Sequence, residues 1–289
     1  MPEFSTLLAQ VFTGLVLGMI YVLLAIGLSL IFGLMTVVNF AHGALFMLGA
    51  YFGVFLLTYT KSFWVALIVA PLMVGVIGLL MERFLIRRLY GRSPDDPLLL
   101  TFGLSLILVE GVKVFWGKIG LTLDPPRALA GAVDLGFMAF PAYRLFLIAI
   151  IVAVLVGLYL FLGRTNIGLI IRAGSRDPLM VRALGIDLGR VWLVVFGIGA
   201  ALAGLAGSLV VVGYGIEPSI GLSWTLKALV VIILAGTGSV LGAFPAGLLL
   251  GLVEAISGVA FGAIYRETAG LVLFLLVLVL RPNGLFGRA

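Results

Sequence analysis

Apolar stretches long enough to cross a bilayer recur along this chain, and nothing constrains its fold more. A helical span through the hydrocarbon core takes about 20 apolar residues. Residues 7–31, LLAQVFTGLVLGMIYVLLAIGLSLI, form one such stretch, and others follow at 63–82, 98–116, 143–163 and 191–213. No water-soluble core needs this much apolar sequence: 63% of the 289 residues are hydrophobic and 10% charged. The fold class this implies is an all-α polytopic membrane protein, one transmembrane domain over residues 1–289. The 39 glycines suit that class, because small residues let membrane helices approach closely. With no cysteine present, disulfides, thiolate metal sites and cysteine nucleophiles are excluded. The first stretch lacks a basic leader and an A-x-A-like site, so no cleavable signal peptide is expected.

Charge sets the orientation. Of the 18 Lys and Arg, eleven fall in 83–92, 164–190 and 281–288. Positive charge beside spans marks the cytoplasmic side. The loops at 83–97 and 164–190 and the C-terminus are therefore expected inside, with 117–142 and 213–224 outside. Three short crossings fit 226–281, which breaks at Gly236-Thr237-Gly238-Ser239 and again near Tyr265-Arg266-Glu267. The segment 32–60 is broken by Asn39, His42, Gly43 and Gly49, and two short crossings are expected in it. An external N-terminus would instead need three crossings before residue 82. The total expected is roughly eight to ten transmembrane helices, ten preferred, some of them broken. Leu48-Gly49-Ala50-Tyr51 is echoed by Leu241-Gly242-Ala243-Phe244, each after a Gly-bearing polar break. This points to two pseudo-repeated halves, and interrupted segments in corresponding positions are the usual mark of a transport pathway.

The longest polar interruption is RTNIGLIIRAGSRDPLMVRALGIDLGR (164–190), with five arginines and two aspartates. Asp177-Pro178 reads as a helix start, Asp capping free N–H groups and Pro favoured at the first helical position. Gly185 reads as the stop. Between them Leu179, Met180, Ala183 and Leu184 make an apolar side. A helix so short is marginal alone in water, so it is expected to be held against something else.

Four ordered stretches carry a specific resemblance: Asn39-Phe40-Ala41-His42-Gly43, RTNIGLIIRAGSRDPLMVRALGID (164–187), LAGTGSVLGAFPAG (234–247) and Arg281-Pro282-Asn283-Gly284-Leu285-Phe286-Gly287. Together they resemble the permease subunit of a branched-chain amino acid ABC importer, the LIV-H type, over nearly the whole chain. The resemblance implies a bacterial inner-membrane importer that carries Leu, Ile or Val from periplasm to cytoplasm by alternating access. Its implied partners are a second, longer permease in a heterodimer, two cytoplasmic ATPases and a periplasmic binding protein. ATP and Mg would be bound by the ATPases, leaving no cofactor in this subunit.

The resemblance also implies a coupling role for Arg172, Ala173, Gly174, Asp177, Pro178, Leu179, Met180, Arg182, Ala183, Leu184, Gly185 and Asp187. In such permeases a short cytoplasmic helix docks into a groove on the ATPase. Arg172-Ala173-Gly174 departs from the broad permease signature, which begins Glu-Ala-Ala, whereas Arg182-Ala183-Leu184-Gly185-Ile186-Asp187 matches the branched-chain version. The competing reading is a solvated positive-inside loop. Another small solute (urea, an amide, a different amino acid) would use the same helices. An ion-coupled secondary carrier would instead show buried acidic coupling sites, and candidates are few.

The pathway or gate is expected at Asn39, His42, Gly43, Gly236, Thr237, Gly238 and Ser239. For each a structural reading stands beside the functional one. His42, the sole histidine, fits a structural group or a pathway contact; Asn39 and the hydroxyls fit groups that satisfy backbone freed at a break. Glu110 and Lys113, spaced i, i+3, are expected to pair near the outer end of their span. Glu254 is a third charge within apolar sequence, with an interfacial or structural role expected. No HExxH, GxSxG, Asp-rich diphosphate or Walker A motif occurs. No catalytic or metal-binding residue is therefore expected, and the energy source is expected in a partner.

Overall fold

The computed structural model describes residues 4–93, 95–134, 136, 138–236 and 238–286. In chain order they form α1 (Phe4–Met35), α2 (His42–Thr60), α3 (Phe63–Phe84), α4 (Asp95–Trp116), α5 (Ala142–Arg164), α6 (Asn166–Arg176), α7 (Pro178–Ala183), α8 (Leu188–Tyr214), α9 (Ile220–Ala235), α10 (Ala243–Ala260) and α11 (Tyr265–Leu280). Between α4 and α5 lies one short antiparallel hairpin, β1 (Ala132–Asp134) and β2 (Ala139–Pro141), with Val133 opposite Phe140. The all-α polytopic class stands. Seven described helices are long and apolar enough to cross a membrane: α1 to α5, α8 and α10. At 16 residues each, α9 and α11 are shorter.

The front of the chain differs from expectation. Residues 32–60 hold one membrane helix, α2, and not two short ones. The break lies at 36–41, ahead of α2, and the helix runs without interruption through Gly43 and Gly49. Those glycines are there for close packing. A side chain at Gly49 would strike the Gly204 backbone, and one at Gly43 would strike the Gly221 carbonyl. At the far end three helices, α9, α10 and α11, occupy the ground where three short crossings were expected. The second break there falls at 261–264, with Tyr265-Arg266-Glu267 already inside α11. The two echoed tetrapeptides occupy different settings. Leu48–Tyr51 lies within α2 and is buried throughout, whereas Leu241–Phe244 straddles the start of α10 with Leu241 and Phe244 exposed.

Contacts divide the chain into two compact units, with boundaries inside α1, α5 and α9. The larger comprises residues 27–123 and 154–226. Its core is the packing of α2, α3 and α8 on one another. Gly78 lies against Ala200, and Gly207 against the Phe46 carbonyl, so the backbones come close enough for dense van der Waals contact. On the other side of α3, Trp64, Ile68, Leu72, Val76 and Leu80 repeat at four-residue spacing and are exposed, as a lipid-facing surface requires. The smaller unit comprises residues 4–26, 124–153 and 227–286 of the described chain. In it Gly14 and Gly18 of α1 meet Leu252, Gly251 and Leu248 of α10, and α10 packs on α11.

Candidate functional site

The first break belongs to the larger unit, and hydroxyls hold it. Thr36 ends α1 with φ +52°, and the backbone stays irregular until His42. Buried away from water, the freed N–H groups need protein partners. Asn39 Oδ1 accepts from the Ala41 N–H at 3.0 Å. Thr101 of α4 accepts from the Phe40 N–H at 3.2 Å and donates to the Leu98 carbonyl at 3.1 Å. Thr225 of α9 accepts from the Gly43 N–H at 2.9 Å and donates to the Gly221 carbonyl at 3.0 Å. Asn39, His42, Thr101 and Thr225 are each 0% exposed. Asn39, His42 and Gly43 are thus brought together, and the backbone-satisfying role read for Asn39 is present. Asn39 Nδ2 is buried without a hydrogen-bond partner among the described residues.

The second break belongs to the smaller unit. Gly236 and Gly238 take φ +93° and +82°, the left-handed conformations that let α9 end sharply. Thr237 lies outside the described residues. Ser239 Oγ accepts from the Gly242 N–H at 3.1 Å, one residue before α10 begins, the structural role read for it. Two of the sequence motifs meet at this point. The Leu285 N–H donates to the Leu234 carbonyl at 2.8 Å and the Phe286 N–H to the Ala235 carbonyl at 3.3 Å, while Gly284 presses on the Gly236 backbone. Gly287, the last residue of that motif, lies outside the described residues.

The Arg-rich stretch folds as two helices. Thr165 caps α6, accepting from the Gly168 N–H at 3.0 Å. This 11-residue helix was not expected; its signal was Thr165 followed by alternating apolar and polar residues at helical spacing. Arg172, Ala173 and Gly174 lie in α6, where Gly174 packs against Leu34 and Leu188 and Arg172 donates to the Leu162 carbonyl. Asp177 then caps α7, accepting from the Met180 N–H at 2.9 Å, with Pro178 in the first turn. Gly185 closes it at φ +80°, and Asp187 caps α8 through the Gly189 N–H at 2.9 Å. Among the described residues of α7, Val181 alone is buried. Leu179, Met180 and Leu184 are 78%, 59% and 72% exposed, and Ala183 and Arg182 are exposed too, so no described residue of the chain covers the apolar side.

Behind α7 the Arg182 guanidinium lies 5.3 Å over the Trp192 ring. Trp192 meets Tyr90 edge-on at 4.5 Å, and the Tyr90 hydroxyl donates to Glu82 Oε1 at 2.8 Å. Burial pushes the Tyr90 phenol well above its ordinary pKa, and the bond to Glu82 adds to the shift, so it remains a donor.

Intramembrane charge gathers in the smaller unit. Glu254 of α10 is 2% exposed. Its Oε2 accepts from the Tyr21 hydroxyl at 2.6 Å and from Lys227 Nζ at 3.3 Å, with Arg266 Nε at 3.9 Å. Lys227 also reaches Glu267 at 3.3 Å. The structural reading of Glu254 has its partners. Lys227 and Tyr21 were missed, although a lysine inside an apolar helix is as strong a signal as the glutamate. Glu110 and Lys113 pair at 2.6 Å on the face of α4, as their spacing indicated.

Comparison with known proteins now bears on these features. The family described as branched-chain amino acid transport system / permease component matches residues 10–280. The high-affinity branched-chain amino acid transport system permease protein BraD of Pseudomonas aeruginosa is 33% identical, over 100% of this chain and 98% of its own. The corresponding permease protein LivH of Escherichia coli K12 is 32% identical, over 99% and 97%. The permease protein LivM of the same organism is 29% identical, over 81% of this chain and 60% of its own. No solved structure matches the chain. With a match that takes in nearly every helix described above, the chain belongs to the family of branched-chain amino acid transport permease components.

Proposed function

We propose that the protein is the membrane-spanning half of an ATP-driven importer that moves leucine, isoleucine and valine into the cytoplasm. One observation carries the mechanism. The capped helix α7, flanked by arginines, presents Leu179, Met180 and Leu184 with no cover from the described residues of its own chain. A short helix with exposed apolar residues at its tip fits a protein groove better than water, and a separate ATPase supplies that groove. Residues 172–187 then receive the stroke of ATP-driven closure. The breaks at 36–41 and 236–242 line or gate the path, a rigid-helix movement exposing it to either side in turn. The second permease of the pair is of the LivM kind, two ATPases bind ATP and Mg, and a binding protein delivers the solute from outside. Selectivity resides in that binding protein, since a pathway must release what it moves. The chain acts as one permease domain in a bacterial inner membrane.

The helix order supports a topology of nine crossings, with α1, α2, α3, α4, α5, α8, α9, α10 and α11 each traversing once. Three crossings before residue 85 place the N-terminus outside, and the basic segments at 83–92, 164–190 and 281–286 then all fall inside. At 16 residues, α9 and α11 are about 24 Å long, a shortfall a locally thinned bilayer absorbs.

The test is uptake of radiolabelled leucine into proteoliposomes with the second permease, the ATPases and the binding protein added or withheld. Uptake that requires internal ATP and every partner supports the reading. Uptake by this chain alone on an ion gradient overturns it, and ATP-dependent activity that moves no leucine overturns the solute assignment.

A further inference from the structure

Behind α7 the larger unit holds a partly bonded polar group. Among the buried polar atoms there that have no hydrogen-bond partner in the described residues, two flank one tyrosine. Glu82 Oε2 and Trp192 Nε1 are buried with no hydrogen-bond partner among the described residues. One is an acceptor and the other a donor, and both side chains flank Tyr90: its hydroxyl holds the other Glu82 oxygen at 2.8 Å, and its ring abuts Trp192 at 4.5 Å. Glu82 is in the last turn of α3, Trp192 in the first turns of α8, and Arg182 in α7 covers the Trp192 ring at 5.3 Å. The same α3 and α8 pack on each other and on α2 as the core of this unit. Arg87 adds a weak tie, its Nε 3.9 Å from Glu82 Oε1.

We propose that Tyr90 is a positioning residue that links α7 to α3 and α8, and that the Glu82–Tyr90–Trp192 group is a two-position relay. The proposal rests on α7 being the docking helix. In the arrangement described, Tyr90 holds Glu82 while a complementary donor and acceptor stand unused. A fully bonded buried network would be rigid, whereas a partly bonded one has a second arrangement within reach. Displacement of α7 pulls on Trp192 through Arg182, and a small shift of the indole lets its N–H compete for Glu82. Packed cores convert such shifts into discrete movements rather than continuous ones. The helix ends that move are those of α3 and α8.

The experiment uses the full transporter in proteoliposomes, with leucine uptake and ATP hydrolysis measured separately for Tyr90→Phe and Trp192→Phe. Tyr90→Phe keeps the ring against Trp192 and removes only the bond to Glu82. The expected result is a fall in leucine moved per ATP of about fivefold or more, with hydrolysis held within about twofold. A merely structural tyrosine would lower thermal stability and both rates together, and that result overturns the relay; so does an unchanged ratio. Trp192→Phe, which deletes the indole N–H, is expected to lower the same ratio, and an unaltered ratio removes the two-position part. Leu179→Glu serves as reference. If ATPase retention and uptake survive it, the docking reading fails and the relay with it. If it abolishes retention while Tyr90→Phe stays fully coupled, the relay alone fails.

Discussion

Glu254 is a carboxylate buried among cations, 2% exposed in the smaller unit. An ionised carboxylate in a membrane interior is stable only with partners, and Tyr21, Lys227 and Arg266 provide them. Removing Lys227 leaves the buried carboxylate with Tyr21 and the longer Arg266 contact, and removing Glu254 leaves Lys227 with Glu267, each at a cost of up to about 3–5 kcal/mol. Lys227→Met alone and Glu254→Leu alone are each expected to lower thermal stability sharply, measured by unfolding in detergent. The double substitution should recover a large part of the loss, because the buried carboxylate and its nearest cation leave together. Equal and additive losses would show that the pair contributes little as a pair. Thr101 and Thr225 act on the same principle with neutral groups, each hydroxyl serving backbone that no helix satisfies.

Among the elements, α7 is short and takes little support from the described residues of its own chain. Six residues form too few hydrogen bonds to persist alone, so the Asp177 cap, Pro178 and Gly185 set its ends, while buried Val181 and the Arg182 guanidinium over Trp192 hold it to the chain. Asp177→Ala removes a cap and is expected to cost about 1 kcal/mol locally. Amide exchange over residues 179–184 should accelerate in the variant, whereas amides in the centre of α8 keep their protection. Exchange that rises equally in both would mean the cap supports the whole unit. The helices α2 and α8 show the opposite economy: their glycines give up helix propensity for backbone contact that Gly49 and Gly204 make possible.

For the whole molecule, the membrane topology is the property most open to direct test. A chain with no native cysteine takes single-cysteine probes without background. With nine crossings, Lys61→Cys and Ala263→Cys react with an impermeant maleimide in intact cells. Ser175→Cys and Asn283→Cys react only after permeabilisation. All four positions are exposed, so accessibility within the chain is not limiting. Ala263→Cys protected in intact cells would rule out separate crossings by α10 and α11.

Much of this was legible along the chain. The membrane class follows from apolar length alone, because hydrocarbon admits few structures and helices of about 20 residues are the simplest. The bounds of α7 follow from Asp177, Pro178 and Gly185, whose effects are local to a turn. The Glu110–Lys113 pair is likewise local. Distant partners were not legible: nothing near Gly43 in sequence announces Thr225, and nothing near Glu254 announces Tyr21. Nor could spacing tell a glycine that breaks a helix from one that lets another backbone approach, since both read as the same residue in an apolar run. Local chemistry determined where helices start and stop; only tertiary packing decided that Gly43 and Gly49 continue α2, because the reason for them is the helix on the other side.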